Sequence, residues 1–286
     1  MRLLITLLLG QFLLTGGSCE RPEAEGVERP AVVSAETPSL QIDWQPTPLV
    51  DVPAGSYRPL YPGRDEPEQR AIDAFAVEKS PVTNRQYLAF VAAQPKWRRS
   101  QVRSLFADAN YLAHWPEDLQ FPEGQGDAPV TQISWFAARA YAAWAGRRLP
   151  TLAEWEYLAA ASDTAAFGRD EPGYNQVILN WYARPTPARL PDVGGGKPNF
   201  YGVHDLHGLV WEWVDDYNSS LVSGESRGDA GLERNLFCGS GSIGAADPAD
   251  YAAFMRFAFR SSLEGDYTVR NLGFRCAADL DSEQKP

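Results

Sequence analysis

Side chains able to do chemistry are few in this chain and unevenly spread. Its 286 residues hold three cysteines (Cys19, Cys238, Cys276) and three histidines (His114, His204, His207). His204 and His207 stand three apart, a spacing that would let two imidazoles on one helical face grip a transition metal. His114 is the only other imidazole, so a complete histidine-rich iron site is out of reach and a hydrogen-bonding role is expected for the pair. Towards the C-terminus, Asp247, Asp250, Tyr251, Arg256 and Arg260 fall in one short stretch. Acid or base catalysis there would need a carboxylate within hydrogen-bond reach of a substrate, its pKa moved by burial or charge. An Asp–Arg ion-pair network is the simpler expectation. No Ser-His-Asp order, phosphate loop or CxxC motif occurs.

The elements that would position these residues are partly legible. Thr83 precedes an apolar-periodic run with Gln86 three residues on, a capping box in which both side chains satisfy otherwise orphaned amides. Ser134 caps residues 135–145, with Gly146 as the left-handed stop, and Thr151 with Glu154 forms a second capping box. Residues 49–57 read as a strand followed by a turn, and residues 70–77 alternate as a second strand, which together predict a hairpin. From about Asp163 onward Gly, Pro, Asn, Asp and aromatics dominate, so this part should be loop-rich, with strand candidates at 236–238, 257–260 and 273–276. Nine tryptophans can make such a region solid, because a buried indole removes a large apolar area from water and its N–H can satisfy a loop carbonyl.

A formal net charge of -11 offers no basic field to displace counterions from phosphates, which argues against nucleic acid and anionic membrane surfaces as partners. The Arg-rich residues 96–103 read as a solvated helix face or loop. Residues 1–18 carry one early positive charge, an apolar run and small residues, the pattern of a secretory leader. Residues 19–41 are rich in Glu, Pro, Ala and Ser and read as a disordered tether; the folded domain is expected over 42–281, with 282–286 as a tail. Cys238 and Cys276 would then be the cysteines of the folded part. They could pair in an oxidising compartment, a matter of Cα separation that sequence leaves open.

Three motifs in fixed order carry a resemblance: Arg148-Leu149-Pro150-Thr151-Leu152-Ala153-Glu154-Trp155-Glu156-Tyr157, then Tyr201-Gly202-Val203-His204-Asp205-Leu206-His207-Gly208-Leu209-Val210-Trp211-Glu212-Trp213, then Asn271-Leu272-Gly273-Phe274-Arg275-Cys276. With Pro81-Val82-Thr83-Asn84, Pro129-Val130 and Ser134-Trp135, they make the chain similar to the formylglycine-generating enzyme and sulfatase-modifying factor family over roughly residues 45–280. The resemblance implies an α+β class: one loop-rich, C-type-lectin-like domain with little regular secondary structure. Separately, the Gly17-Ser18-Cys19 ending of the leader resembles a bacterial lipoprotein processing site, at which Cys19 would be lipidated and the protein held in the periplasm or cell envelope; ordinary cleavage nearby, releasing a soluble protein, is the alternative.

The copper-dependent oxidases of this family place two cysteines five residues apart shortly before a Tyr-Arg-x-Ala-x-Arg-Ser segment. The matching segment here begins at Met255-Arg256, which puts Asp247 and Ala252 at the cysteine positions. Soft Cu(I) prefers thiolates, so copper is not expected and no residue is assigned as catalytic. Relatives also commonly carry a cysteine near position 142 bonded to the one matching Cys276; Ala142 stands here, so that bridge cannot form. The substrate cleft implied by the resemblance would be lined by Trp213, Asp247, Tyr251, Arg256 and Arg260. A structural calcium would be held by the Glu212 carboxylate and the backbone carbonyls of His207, Gly208 and Val210, although an arginine or loop amides could occupy Glu212 instead. The segments at 237–242 and 250–256 look more like a non-sulfatase branch of exported relatives, which includes proteins encoded beside copper nitrite reductases and pyoverdine-maturation enzymes. The expected function is to assist maturation of an exported client protein or peptide. A divergent oxidase and a non-catalytic lectin-like module are the alternatives.

Overall fold

The computed structural model describes residues 42, 44–61, 67–169, 171–218 and 250–280. Cys19, Cys238, Asp247, the strand candidate at 236–238, and the leader and tail lie outside them. All described residues belong to the compact unit Ser39–Pro286.

The expected hairpin forms in two tiers. Strand β1 (Leu49–Val52) pairs antiparallel with β4 (Phe75–Glu78), Val50 opposite Val77, while β2 (Gly55–Tyr57) pairs with β3 (Arg70–Ile72). The run at 70–77 is therefore two strands with a break between them. Strand β7 (Ala277–Asp279) joins the other edge of β4, in the order β1-β4-β7, so the C-terminal end of the domain completes the sheet its N-terminal end began. Strands β5 (Trp211–Trp213) and β6 (Leu272–Phe274) form a short parallel pair, with Glu212 beside Gly273.

The helices begin where their caps require. In α1 (Asn84–Ala93) Thr83 and Gln86 close a full capping box, as Thr151 and Glu154 do for α3 (Leu152–Ala159). Ser134 accepts from the Ala137 amide at the start of α2 (Trp135–Trp144), and Gly146 follows at φ 70°, the left-handed conformation a side chain would strain. The Arg-rich run turns out to satisfy carbonyls. Arg98 donates to Val91 and Ala92 at 3.2 and 3.3 Å at the end of α1, and Arg99 donates to the Trp115 carbonyl at 2.6 Å.

Two further helices interrupt the expected loops: α4 (Tyr174–Tyr182) and α5 (Tyr251–Ser261). The strand expected at 257–260 is the last part of α5. Alternating Phe257 and Phe259 imitate a strand, but the buried residues Ala252, Ala253, Arg256 and Arg260 follow helical spacing, and the Asp250 carboxylate caps the Ala253 amide at 2.9 Å. A buried stripe that includes two arginines does not register as an apolar face.

One apolar cluster gathers Tyr87, Phe90, Trp115, Tyr141, Trp213 and Phe274; a second gathers Val52, Phe75, Trp155, Val203, Val214 and Ala277. Ala142 and Cys276 both lie in the first. The glycine of the C-terminal motif has a steric cause: a Cβ on Gly273 would sit 2.6 Å from the Val130 carbonyl oxygen, where backbone rather than a movable side chain blocks it. Gly273→Ala should therefore lower unfolding stability by about 1–3 kcal/mol, read as a shifted urea midpoint at unchanged slope.

Candidate functional site: a buried carboxylate under two arginines

Helices α3, α4 and α5 and the β2–β3 ribbon enclose a cavity of about 400 Å³. Its floor is ionic. From α3, Glu156 accepts from Arg256 Nε at 3.0 Å and Nη2 at 2.7 Å, and from Arg260 Nη1 at 2.6 Å. The two arginines are one helical turn apart on α5, and both are buried, at 6% and 4% exposure. Arg256 is fully engaged, because its Nη1 also donates to the Tyr182 hydroxyl at 3.3 Å. Burial alone would raise the Glu156 carboxyl, but the Arg256 and Arg260 guanidiniums outweigh it and hold it at about 2. Glu156 is thus a fixed carboxylate, unsuited to proton transfer near neutrality. Beside it, Asp250 caps α5 and forms an ion pair with Arg169.

Below the floor lies His207. Its Nε2 is 3.0 Å from the Ala159 carbonyl oxygen, so Nε2 carries the proton, and its Nδ1 is out of water with no partner among the described residues. Burial, and then the nearby Arg256 charge, push the imidazole down to about 4, which keeps it neutral. His204 binds a different carbonyl, that of Gly196, at 2.9 Å from Nδ1. The two histidines lie on an irregular loop shaped by positive φ at Gly202, Asp205 and Gly208, not on a shared helical face. Among the described residues no group of three or more His, Cys, Asp or Glu side chains could hold a metal ion.

Of the residues expected to line a cleft, Arg256 and Arg260 do, and neighbouring Asp250 joins them. Trp213 does not: it is fully buried in the apolar core, its indole donating to the Ile133 carbonyl at 2.7 Å. Tyr251 is 54% exposed at the start of α5 and outside the cavity lining. Ala252 is sealed inside the same helix. Glu212 is fully buried, with both oxygens taken: Arg275 donates from Nη2 at 2.7 Å and Nε at 2.8 Å, and Trp155 Nε1 donates at 2.7 Å. The implied calcium does not fit this arrangement, since the ion would have to share one carboxylate with a guanidinium already in bidentate contact. Gly208 is exposed and Val210 buried, flanking that pair in sequence. Sequence reasoning missed Glu156, Tyr57 and Arg169. The paired Arg256 and Arg260, one turn apart and in step with Ala252 and Ala253, were the signal that a carboxylate must face them.

Residues 33–280 match the sulfatase-modifying factor enzyme 1-like domain. The chain belongs to that family. A formylglycine-generating enzyme of Streptomyces coelicolor is 33% identical over 250 residues, spanning 72% of this chain and 79% of that protein. The inactive C-alpha-formylglycine-generating enzyme 2 of Mus musculus is 29% identical over 288 residues, 84% of this chain and 89% of that protein. Among solved structures, PvdO from Pseudomonas aeruginosa is 19% identical with a TM-score of 0.43, covering 81% of this chain and 94% of that one. The mixed α+β, loop-rich architecture is that of the family.

His207 has a pH consequence. Its ordinary pKa of 6.5 falls to about 4 on folding, so between those values the unfolded chain binds more protons. The stability tied to a neutral His207 is complete above pH 6.5 and is lost as pH falls towards 4, by about 3 kcal/mol at most. His207→Gln, which retains a donor for Ala159, should flatten this slope in urea unfolding measured at pH 7 and pH 4.5.

Proposed function

We propose that this family member is an exported accessory protein, lipid-anchored at Cys19, that assists maturation of another envelope protein or peptide without copper–thiolate chemistry. The observation that carries the reading is the state of Cys276. The thiol lies at zero exposure in the apolar core, and burial, then the neighbouring Glu78 carboxylate, push its pKa up, while its amide is tied to Glu78 at 2.7 Å. A buried thiol held protonated is a poor Cu(I) ligand, since the thiolate is the binding form. Of the three cysteines in the chain, that leaves Cys19, at the end of the leader, and Cys238.

Supporting this, the positions matching the family's copper cysteines are Asp247 and Ala252, and Ala252 is enclosed in α5. The family includes a mouse relative described as inactive, so the fold is retained where that reaction is not. The client is taken in the cavity above Glu156, Arg256 and Arg260, the enclosed site with both charge and apolar wall. The reading predicts no oxidation of a generic sulfatase substrate. Purified protein incubated with Cu(I) and a Cys-x-Pro-x-Arg peptide should yield no aldehyde by mass spectrometry, and aldehyde formation would overturn the proposal.

A further inference from the structure

The two guanidiniums on Glu156 are not equally committed. Where Arg256 uses all three nitrogens, Arg260 donates only from Nη1, and among the described residues its Nε and Nη2 meet no acceptor. Its other contact is the Trp155 ring, 4.4 Å below, which holds the guanidinium plane without using its N–H groups. Tyr57, from β2, also lines this cavity, interacts electrostatically with Glu156 and Arg260, and has no hydrogen-bond partner for its hydroxyl among the described residues. Burial raises that phenol, so it stays a donor. These donors are reached by solvent from the cavity, so an entering ligand can take the place of water on them.

From this geometry we infer that the cavity binds a ligand carboxylate, received by Arg260 Nε and Nη2 and the Tyr57 hydroxyl, with a flat apolar group against Tyr174, Ile178 and Phe257. Planar two-point donation suits a carboxylate. The volume admits one aromatic side chain with its acid group, so the ligand is a small aromatic acid or the terminal residue of a peptide. This rests on the proposed client-binding role of the same cavity and names the chemistry it would recognise.

Titration calorimetry of the exported domain with 3-phenylpropionate, with acetyl-Gly-Gly-Phe, and with the neutral amide of each separates the sources. At least one acid should bind with a Kd of about 1 mM or tighter, and its amide at least tenfold more weakly. Binding of the free acid alone assigns a small molecule, of the peptide acid alone a client C-terminus, and of both the shared chemistry. Arg260→Met should weaken the binding acid by about tenfold or more, and Tyr57→Phe by about threefold to tenfold, each variant first shown to retain a cooperative melt. If neither acid binds, or the amides bind as well, the inference fails. Envelope proteins that co-purify with wild type while neither acid binds would leave the client role standing and remove this one. Acid binding with no co-purifying protein would do the reverse.

Discussion

The structure depends on keeping the Glu156 and Glu212 carboxylates apart and each matched to arginine, with Trp155 between them. Its indole N–H donates to Glu212 at 2.7 Å while its ring lies 4.4 Å beneath the Arg260 guanidinium of the Glu156 cluster. A carboxylate or guanidinium taken out of water costs several kcal/mol unless geometry and hydrogen bonds compensate. Helix α3 supplies both Trp155 and Glu156 and so must face β5 and β6 on one side and α5 on the other. The positions of these elements determine one another. That is how a domain with short strands and long loops can hold a defined cavity.

The two ionic centres differ in how complete they are. Around Glu212 every nitrogen of Arg275 is bonded: two bonds go to the carboxylate and two to the carbonyls of Glu78 and His204 at 3.2 and 2.9 Å. This ties β5 and the loop before it to the residue that follows β6. Around Glu156 the accounting stays open: Arg260, which lines the cavity, bonds the carboxylate from Nη1 alone, and its Nε and Nη2 meet no acceptor among the described residues. The two centres meet at adjacent residues of α3, Trp155 donating to Glu212 and Glu156 holding Arg256 and Arg260.

What was legible in the sequence follows range of interaction. Caps at Thr83, Ser134 and Thr151 were readable because a capping side chain meets an amide three residues away. The pairing of Glu156 with Arg256 spans 100 residues and that of Glu212 with Arg275 spans 63, so no local pattern announces them. Helix α5 was misread because its inward face is half arginine, and hydrophobic periodicity cannot see a buried charge. Trp213 was misplaced for the opposite reason. Its motif suggested a cleft wall, but a large indole whose N–H can reach the Ile133 carbonyl is more favourably spent inside the core. The family itself was legible, since three separated motifs had to occur in one order.

Of the two guanidiniums on Glu156, Arg256 is the committed one and Arg260 the one with donors to spare. Comparing the unfolding free energies of Arg256→Met and Arg260→Met in ligand-free protein tests this directly. Arg256→Met removes the bidentate partner of Glu156 and the partner of Tyr182, and should cost about 3 kcal/mol. Arg260→Met removes one hydrogen bond to Glu156 while retaining an apolar stem over Trp155, and should fall within about 1 kcal/mol of wild type. Equal losses in the two variants would contradict the account.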